Sequence, residues 1–248
     1  MMRRGARTAV LLTLLMGLLM VAAQPASAQD VQVDAPVFEV GDEIVTVSED
    51  GVETSVIVES DATGILLRVH TAKGLIQFHR YDADLNLYDT RLENGNVRKT
   101  FEPHIFRYKF PLYVGSRWTG QYVSVFSMKL GETTPTPNKT AISTSCEVLC
   151  IERITVRAGS FETFKISCEL DEEDESDLTR RTYWYAPAVG ATVRSETENV
   201  ASGSQIEWYE LYAFKRANPV EFNVLSDGVD STCEPTVSMN DTGVLVQD

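Results

Sequence analysis

Short segments rich in β-branched and aromatic residues recur through the first part of the chain, and this recurrence limits the possible folds most strongly. Between residues 36 and 92 they return about every 10 to 12 residues, separated by turn-forming groups such as Glu49-Asp50-Gly51 and Lys73-Gly74. Leu75 to Tyr81 alternates between apolar and polar residues, and no helical period is sustained over about 11 residues beyond the N-terminal segment. The sequence therefore predicts a mostly β fold with little helix, built as an antiparallel sandwich or a curved open half-barrel.

Residues 1–28 have the organisation of a secretory signal peptide. Three arginines lie within the first seven residues, Thr8 to Ala23 is apolar, and Ala26-Ser27-Ala28 has the small-residue spacing of a cleavage site. The apolar run of about 16 residues is shorter than the roughly 20 that a membrane-spanning helix needs. We therefore expect cleavage after Ala28, no stable membrane insertion, and a periplasmic or secreted product without a lipid-bearing cysteine.

The remaining chain is expected to form one β-rich domain, residues 29–216, followed by an acidic, loosely ordered tail, residues 217–248. Removal of three arginines and no acidic residue changes the formal net charge from −14 to −17. Such a surface repels nucleic-acid phosphates, so nucleic acid is not an expected partner, whereas a basic envelope protein is.

Four cysteines follow the predicted cleavage site: Cys146, Cys150, Cys168 and Cys233. An even number of cysteines in an exported chain favours disulfides over a metal site. A three-residue turn at Ala158 to Ser160 would place Cys150 opposite Cys168, within the reach of a disulfide, and would leave Cys146 to pair with Cys233. A two-residue turn would place Leu149 opposite Cys168 instead, so the register stays open.

Seven acidic residues lie between Glu169 and Asp177. Several carboxylates in one loop are what a calcium ion prefers, but the run lacks the D-x-D-x-D-G spacing of a defined calcium loop. We therefore interpret the run as a solvated loop and expect no metal site.

Six aromatic residues on predicted strands are candidates for lining an apolar ligand cavity: Trp118, Tyr183, Trp184, Tyr185, Trp208 and Tyr212. Aromatic residues on strands also form ordinary cores and cross-strand pairs, and that interpretation stays open.

Motifs of catalytic and cofactor-binding sites are missing from the sequence. It contains no G-x-S-x-G elbow, no H-E-x-x-H, no phosphate-binding loop and no dinucleotide fingerprint, and the spacing of His79 and Asp82 does not indicate a triad. We expect no catalytic residues and no cofactor. The leading hypothesis is a non-enzymatic envelope protein that binds an apolar ligand or a protein partner. The alternatives are a structural or interaction module without a ligand, and a hydrolase whose motif is not recognised.

Three short motifs occur in a familiar order. Phe110 to Trp118 fits FPLxVGxxW, Val156 to Phe161 fits VxAGxF, and Tyr183 to Gly190 fits YWYAPxVG. In this order they resemble bacterial exported β-rich proteins of uncharacterised function, many of them lipoproteins or periplasmic. The resemblance implies a curved antiparallel sheet or open barrel, loosely similar to periplasmic lipoprotein carriers, and it implies no catalytic residues.

Overall fold

The computed structural model describes residues 31–129, 136–173 and 178–217, together with Cys233 and the pairs 238–239 and 245–246. All regular secondary structure in these residues is β, and they contain no helix long and apolar enough to cross a membrane. The predicted signal peptide and most of the predicted tail lie outside the described residues.

Twelve strands of the described chain form the main sheet: β1 (Glu43–Ser48), β2 (Gly51–Asp61), β3 (Gly64–His70), β4 (Ile76–Asp82), β5 (Leu87–Leu92), β6 (Val97–Glu102), β7 (Arg117–Met128), β8 (Asn138–Val156), β9 (Gly159–Glu172), β10 (Thr179–Ala186), β11 (Ala191–Asn199) and β12 (Gln205–Lys215). Two short strands, β13 (Ser238–Met239) and β14 (Leu245–Val246), pair separately.

Each strand of the main sheet pairs antiparallel with the next one along the chain, and β1 pairs with β12 to close a barrel. The prediction of a sandwich or an open half-barrel is therefore wrong, although a mostly β fold with little helix is what the structure has. Closure depends on pairing the first strand with the last, with Glu43 opposite Lys215. Local patterns of turns and alternation carry no information about that long-range pairing, which removes both sheet edges.

A buried ion pair holds the seam at which the barrel closes. Asp42 precedes β1 and lies 2.6 Å from the guanidinium of Arg216, which follows β12. Asp42 also accepts the backbone N–H groups of Glu39 and Ala217, at 3.0 and 2.8 Å. Burial acts to raise the pKa of Asp42, but these amides and Arg216 outweigh it and lower the pKa. The two ends of the sheet are thus joined by a fully hydrogen-bonded carboxylate.

The larger core fills the lumen on the side of β7 to β10, where Tyr122, Phe164, Ile166 and Tyr185 are buried. The connection between β6 and β7, residues 103–116, packs into this core through several of its side chains. Side chains from these four strands and this connection therefore form much of the packed core of the barrel.

The β8–β9 hairpin has a register different from the predicted one. Its turn is Arg157-Ala158, with Val156 opposite Gly159, and a β-bulge near Leu149 shifts the pairing by one further residue. Cys146 therefore lies opposite Cys168 and is bonded to it, while Cys150 is bonded to Cys233. The predicted pairing of Cys150 with Cys168 and of Cys146 with Cys233 is wrong, because the turn begins earlier than expected and the bulge has no sequence signal.

Candidate functional site

A cavity of about 290 Å³ lies in the lumen between β1 to β4 and β11 to β12. Small-molecule sites range from about 300 to 1,000 Å³, so the cavity is at the lower end of that range. Its apolar lining comprises Phe38, Ile44, Ile65, Leu67, Val69, Leu85 and Ala191. Its polar lining comprises Thr46, Ser48, Asp50, Glu53, Ser55, His79, Tyr81, Arg107, Tyr108, Thr192, Glu207 and Tyr209.

Strand alternation explains why apolar and polar groups share this cavity. Ile65, Leu67 and Val69 occupy every second position of β3 and so project from the same face of the sheet into the lumen. On β4, His79 pairs with Leu67 and Tyr81 pairs with Ile65, so their side chains project from that same face. The wall of the cavity therefore changes from apolar to polar between two neighbouring strands.

Arg107 is the cation of the cavity lining, and its backbone is held firmly. The side-chain oxygen of the buried Asn86 accepts the N–H groups of Arg107 and Tyr108, at 3.0 and 2.9 Å. The side-chain amide of Asn86 donates to the Tyr108 carbonyl at 3.1 Å. The hydroxyl groups of Tyr108 and Thr192 are hydrogen-bonded to each other. These contacts fix the direction in which residue 107 enters the lumen.

Phenol groups surround the guanidinium of Arg107. Its central carbon lies 5.1 Å from the ring centroid of Tyr183, in a cation–π arrangement. The charge of Arg107 also interacts with Tyr81, Tyr108 and Tyr209. Burial acts to raise the pKa of Tyr183, but Arg181 and Arg107 outweigh it and lower that pKa. Among the described residues, Arg107 forms no ion pair with a carboxylate.

Three carboxylates lie at the end of the cavity formed by the β1–β2 turn. Asp50 is exposed and pairs with Lys73 at 3.1 Å, and Glu207 lies 3.7 Å from Arg181. Burial, Asp50 and Glu207 together raise the pKa of Glu53. The mouth of the cavity is therefore acidic but partly neutralised, whereas the cation lies deeper in the lumen.

His79 lines the cavity as a neutral imidazole. Burial lowers its pKa to about 4, and the charge of Arg107 acts in the same direction. Its Nε2 lies 2.9 Å from the Gln77 side-chain oxygen. Asp82 pairs instead with His104, at 3.1 Å. His79 and Asp82 are thus engaged with different partners.

The six aromatic residues predicted to line a cavity are placed elsewhere. Trp118 and Tyr185 are buried in the larger core, and Tyr183 lies beside Arg107. Trp184 belongs to a second, smaller core and donates its indole N–H to Glu152 at 2.6 Å. Trp208 is half-buried, and Tyr212 is 50% exposed.

The tyrosines that do line the cavity are Tyr81, Tyr108 and Tyr209. Sequence reasoning missed Arg107 as well, although one signal was available. Arg107 stands between Phe106 and Tyr108, in a stretch where the aromatic residues alternate with Arg107 and Lys109. A charge in such a setting is unusual for a purely structural core segment.

The predicted acidic loop is only partly described, because residues 174–177 lie outside the described chain. Glu169 pairs with Arg180 at 3.0 Å. One cluster with metal-type ligand atoms occurs in the described residues, Cys150, Glu152 and Cys233, but its two cysteines are joined in a disulfide. It therefore offers no thiolate to a metal ion.

Comparison with known proteins gives a family match and a fold match. The model of the DUF3108-like family matches residues 109–204, which is less than half of the chain and contains all three sequence motifs. Of the residues that line the cavity, Ala191 and Thr192 fall within the matched stretch. No curated protein matches the sequence.

A similar solved structure is that of a protein from Bacteroides fragilis NCTC 9343, described as exported and with a YmcC-like fold. It has 17% identity and a TM-score of 0.50, and the match covers 75% of this chain and 100% of that one. The hypothetical lipoprotein YmcC of Escherichia coli K12 has 14% identity and a TM-score of 0.45, covering 78% of this chain and 88% of that one.

A third structure, from Parabacteroides distasonis ATCC 8503 and described as a lipoprotein, has 13% identity and a TM-score of 0.43. The match covers 74% of this chain and 99% of that one. At identities this low the comparison concerns the fold alone. The first of the three structures places the barrel among YmcC-like folds.

Proposed function

We propose that the protein is a non-enzymatic component of the bacterial envelope that binds a small, largely apolar molecule in the lumen of its barrel. The observation that carries this proposal is the cavity itself. Core side chains fill the lumen beside β7 to β10, whereas a cavity of about 290 Å³ with an apolar wall on β3 lies beside β1 to β4. A cavity that combines an apolar wall with converging polar groups is typical of ligand sites.

The envelope location is supported by three observations. Residues 1–28 have the organisation of a signal peptide. The fold is shared with a protein described as exported. Two disulfides in the described chain agree with an oxidising compartment.

The non-enzymatic part of the proposal rests on the groups that meet in the cavity. They are phenols, serine and threonine hydroxyls, three carboxylates, a guanidinium and an imidazole whose Nε2 is engaged with Gln77. A hydrolytic site needs a nucleophile within hydrogen-bond reach of a base that a third group orients. The contacts of His79 with Gln77 and of Asp82 with His104 do not form such a chain.

Filling the cavity with a large side chain tests the proposal. Ser55 lines the cavity from β2, whereas Val52 on the same strand is 48% exposed. In a titration with the neutral fluorophore N-phenyl-1-naphthylamine, Ser55→Trp should weaken binding by roughly tenfold or more, because the indole occupies the ligand volume. Val52→Trp should bind the fluorophore like the original protein.

Equal binding by both variants, with thermal melts showing both folded, would contradict the cavity as the binding site. If the original protein does not bind the fluorophore at all, the interaction module becomes the better hypothesis. A basic envelope protein is then the expected partner, and its capture should weaken as salt is raised.

A further inference from the structure

We propose that the ligand is a single-chain amphiphile with one anionic head group, a carboxylate or a phosphate, that binds the guanidinium of Arg107. This inference rests on the proposed function, since it names the chemical class of the cavity's ligand. The apolar chain would lie along Ile65, Leu67 and Val69 of β3, which line the same cavity.

The first support is the missing counter-charge at Arg107. A buried charge is tolerated when it is paired and hydrogen-bonded. The chain achieves this at the barrel seam, where Arg216 lies 2.6 Å from the buried Asp42. Arg107 has no such carboxylate among the described residues and faces phenols, His79 and a second guanidinium, Arg181. An anionic ligand would supply this counter-charge.

The second support is the geometry of hydrogen-bond donors around this position. The planar guanidinium of arginine matches carboxylate and phosphate oxygens with paired N–H donors. Tyr81 and Tyr209 line the same cavity, and burial raises the pKa of both hydroxyl groups, so each keeps its proton. Their O–H groups can then donate to a ligand oxygen that Arg107 already attracts.

The third support is the distribution of charge along the cavity, which sets the orientation of the ligand. The mouth carries Asp50, Glu53 and Glu207 and would repel an anionic head group. Arg107 lies on the β6–β7 connection, which packs into the lumen, and would attract the same group. The head group is therefore expected at Arg107 and the chain along β3. A volume of about 290 Å³ suits one short chain rather than the two chains of a phospholipid.

The test measures displacement of N-phenyl-1-naphthylamine by ligands with the same ten-carbon chain. Decanoate, decyl phosphate, decanol and decyltrimethylammonium differ in head group alone. We expect decanoate or decyl phosphate to displace the fluorophore at a concentration at least about tenfold lower than decanol, because each can pair with a desolvated guanidinium. The tighter of the two anions then identifies the head group as carboxylate or phosphate.

Arg107→Met should abolish this preference, so that the anion displaces the fluorophore at about the same concentration as decanol. The affinities for decanol and for the fluorophore should change by no more than about twofold. Arg117→Met is the matched control. It removes the same charge from an exposed residue that pairs with Glu147 on the barrel surface. Arg107→Lys keeps the charge but loses the paired donors, so it should show an intermediate preference and remain informative if the methionine variant does not fold.

Three outcomes would overturn the inference while the proposed function stands: decanol displaces the fluorophore as well as both anions do, the cationic detergent displaces it best, or Arg107→Met behaves like Arg117→Met. Absence of fluorophore binding by the original protein would instead overturn the proposed function, and the head-group inference with it.

Discussion

Two partly buried arginines, Arg216 and Arg107, differ in whether the protein itself supplies a carboxylate partner. Arg216 pairs with a carboxylate that also accepts two backbone amides, so all charges at the seam are satisfied by the protein itself. Arg107 has a rigid backbone and a cation–π contact with Tyr183, but no described carboxylate. The first arrangement stabilises the closed barrel. In our proposal, an anionic ligand completes the second arrangement.

His79 should make the stability of the protein depend on pH. Its pKa is about 4 in the folded state, against an ordinary value of 6.5, because burial and Arg107 disfavour the imidazolium. The unfolded chain binds more protons between these values, so the free energy of unfolding should fall as pH drops from about 6.5 through about 4. We expect His79 to account for about 1 to 2 kcal/mol of this loss, allowing for its partial exposure to the cavity.

Urea unfolding of the His79→Gln variant between pH 4 and 7 measures this contribution. The glutamine keeps a neutral hydrogen-bonding group beside Gln77 and should flatten the pH dependence. His70→Gln, at an exposed position on β3, is the control and should leave the slope unchanged. An unaltered slope in the His79 variant would show that the buried imidazole is not the titrating group.

At the scale of elements, the long β8–β9 hairpin shows where sequence reasoning succeeds and where it ends. Both strands and their meeting near Gly159 are evident from β-rich runs and turn residues. Gly159 has a positive φ of 136°, but it is the first residue of β9 rather than the centre of the turn. The bulge near Leu149 then adds one unpaired residue, which the local sequence does not predict. The position of the turn and each bulge shift the strand register, so the disulfide pairing could not be predicted from the spacing of the cysteines.

Peptide mapping of the unreduced protein should recover Cys146 linked to Cys168 and Cys150 linked to Cys233. A double variant, Cys146→Ala with Cys168→Ala, should lose about 3 kcal/mol of stability, because a link across 22 residues restricts the unfolded chain. Reductant serves as the control, since it should destabilise the original protein more than this variant. A peptide linking Cys150 to Cys168 would contradict the register.

At the scale of the whole molecule, the barrel combines a packed core with a cavity beside β1 to β4. The stretch that matches the DUF3108-like family model runs from residue 109 to residue 204 and includes β7 to β11, and four of these strands bound the filled part of the lumen. Most of the cavity lining lies before residue 109, on β1 to β4 and the β6–β7 connection. The stretch that matches the family model thus covers mainly packed strands, and most of the cavity lining comes from the rest of the chain.

Strands and turns could be predicted from the sequence, because alternation and turn residues act over a few positions. Closure of the barrel could not be predicted, because it depends on the pairing of β1 with β12, which are far apart in the sequence. The cavity could not be predicted for the same reason. Arg107, Leu67 and Tyr209 are far apart in sequence and meet only after the barrel has closed.

Native mass spectrometry of the protein purified from the envelope of its own host tests the central claim most directly. If the lumen binds a small amphiphile, the gently ionised protein should carry one additional small molecule that solvent extraction removes. The Ser55→Trp variant, purified in parallel, should lack it, and Val52→Trp should retain it. A mass equal to that of the bare chain, together with no binding of the fluorophore or the ten-carbon ligands, would contradict the account.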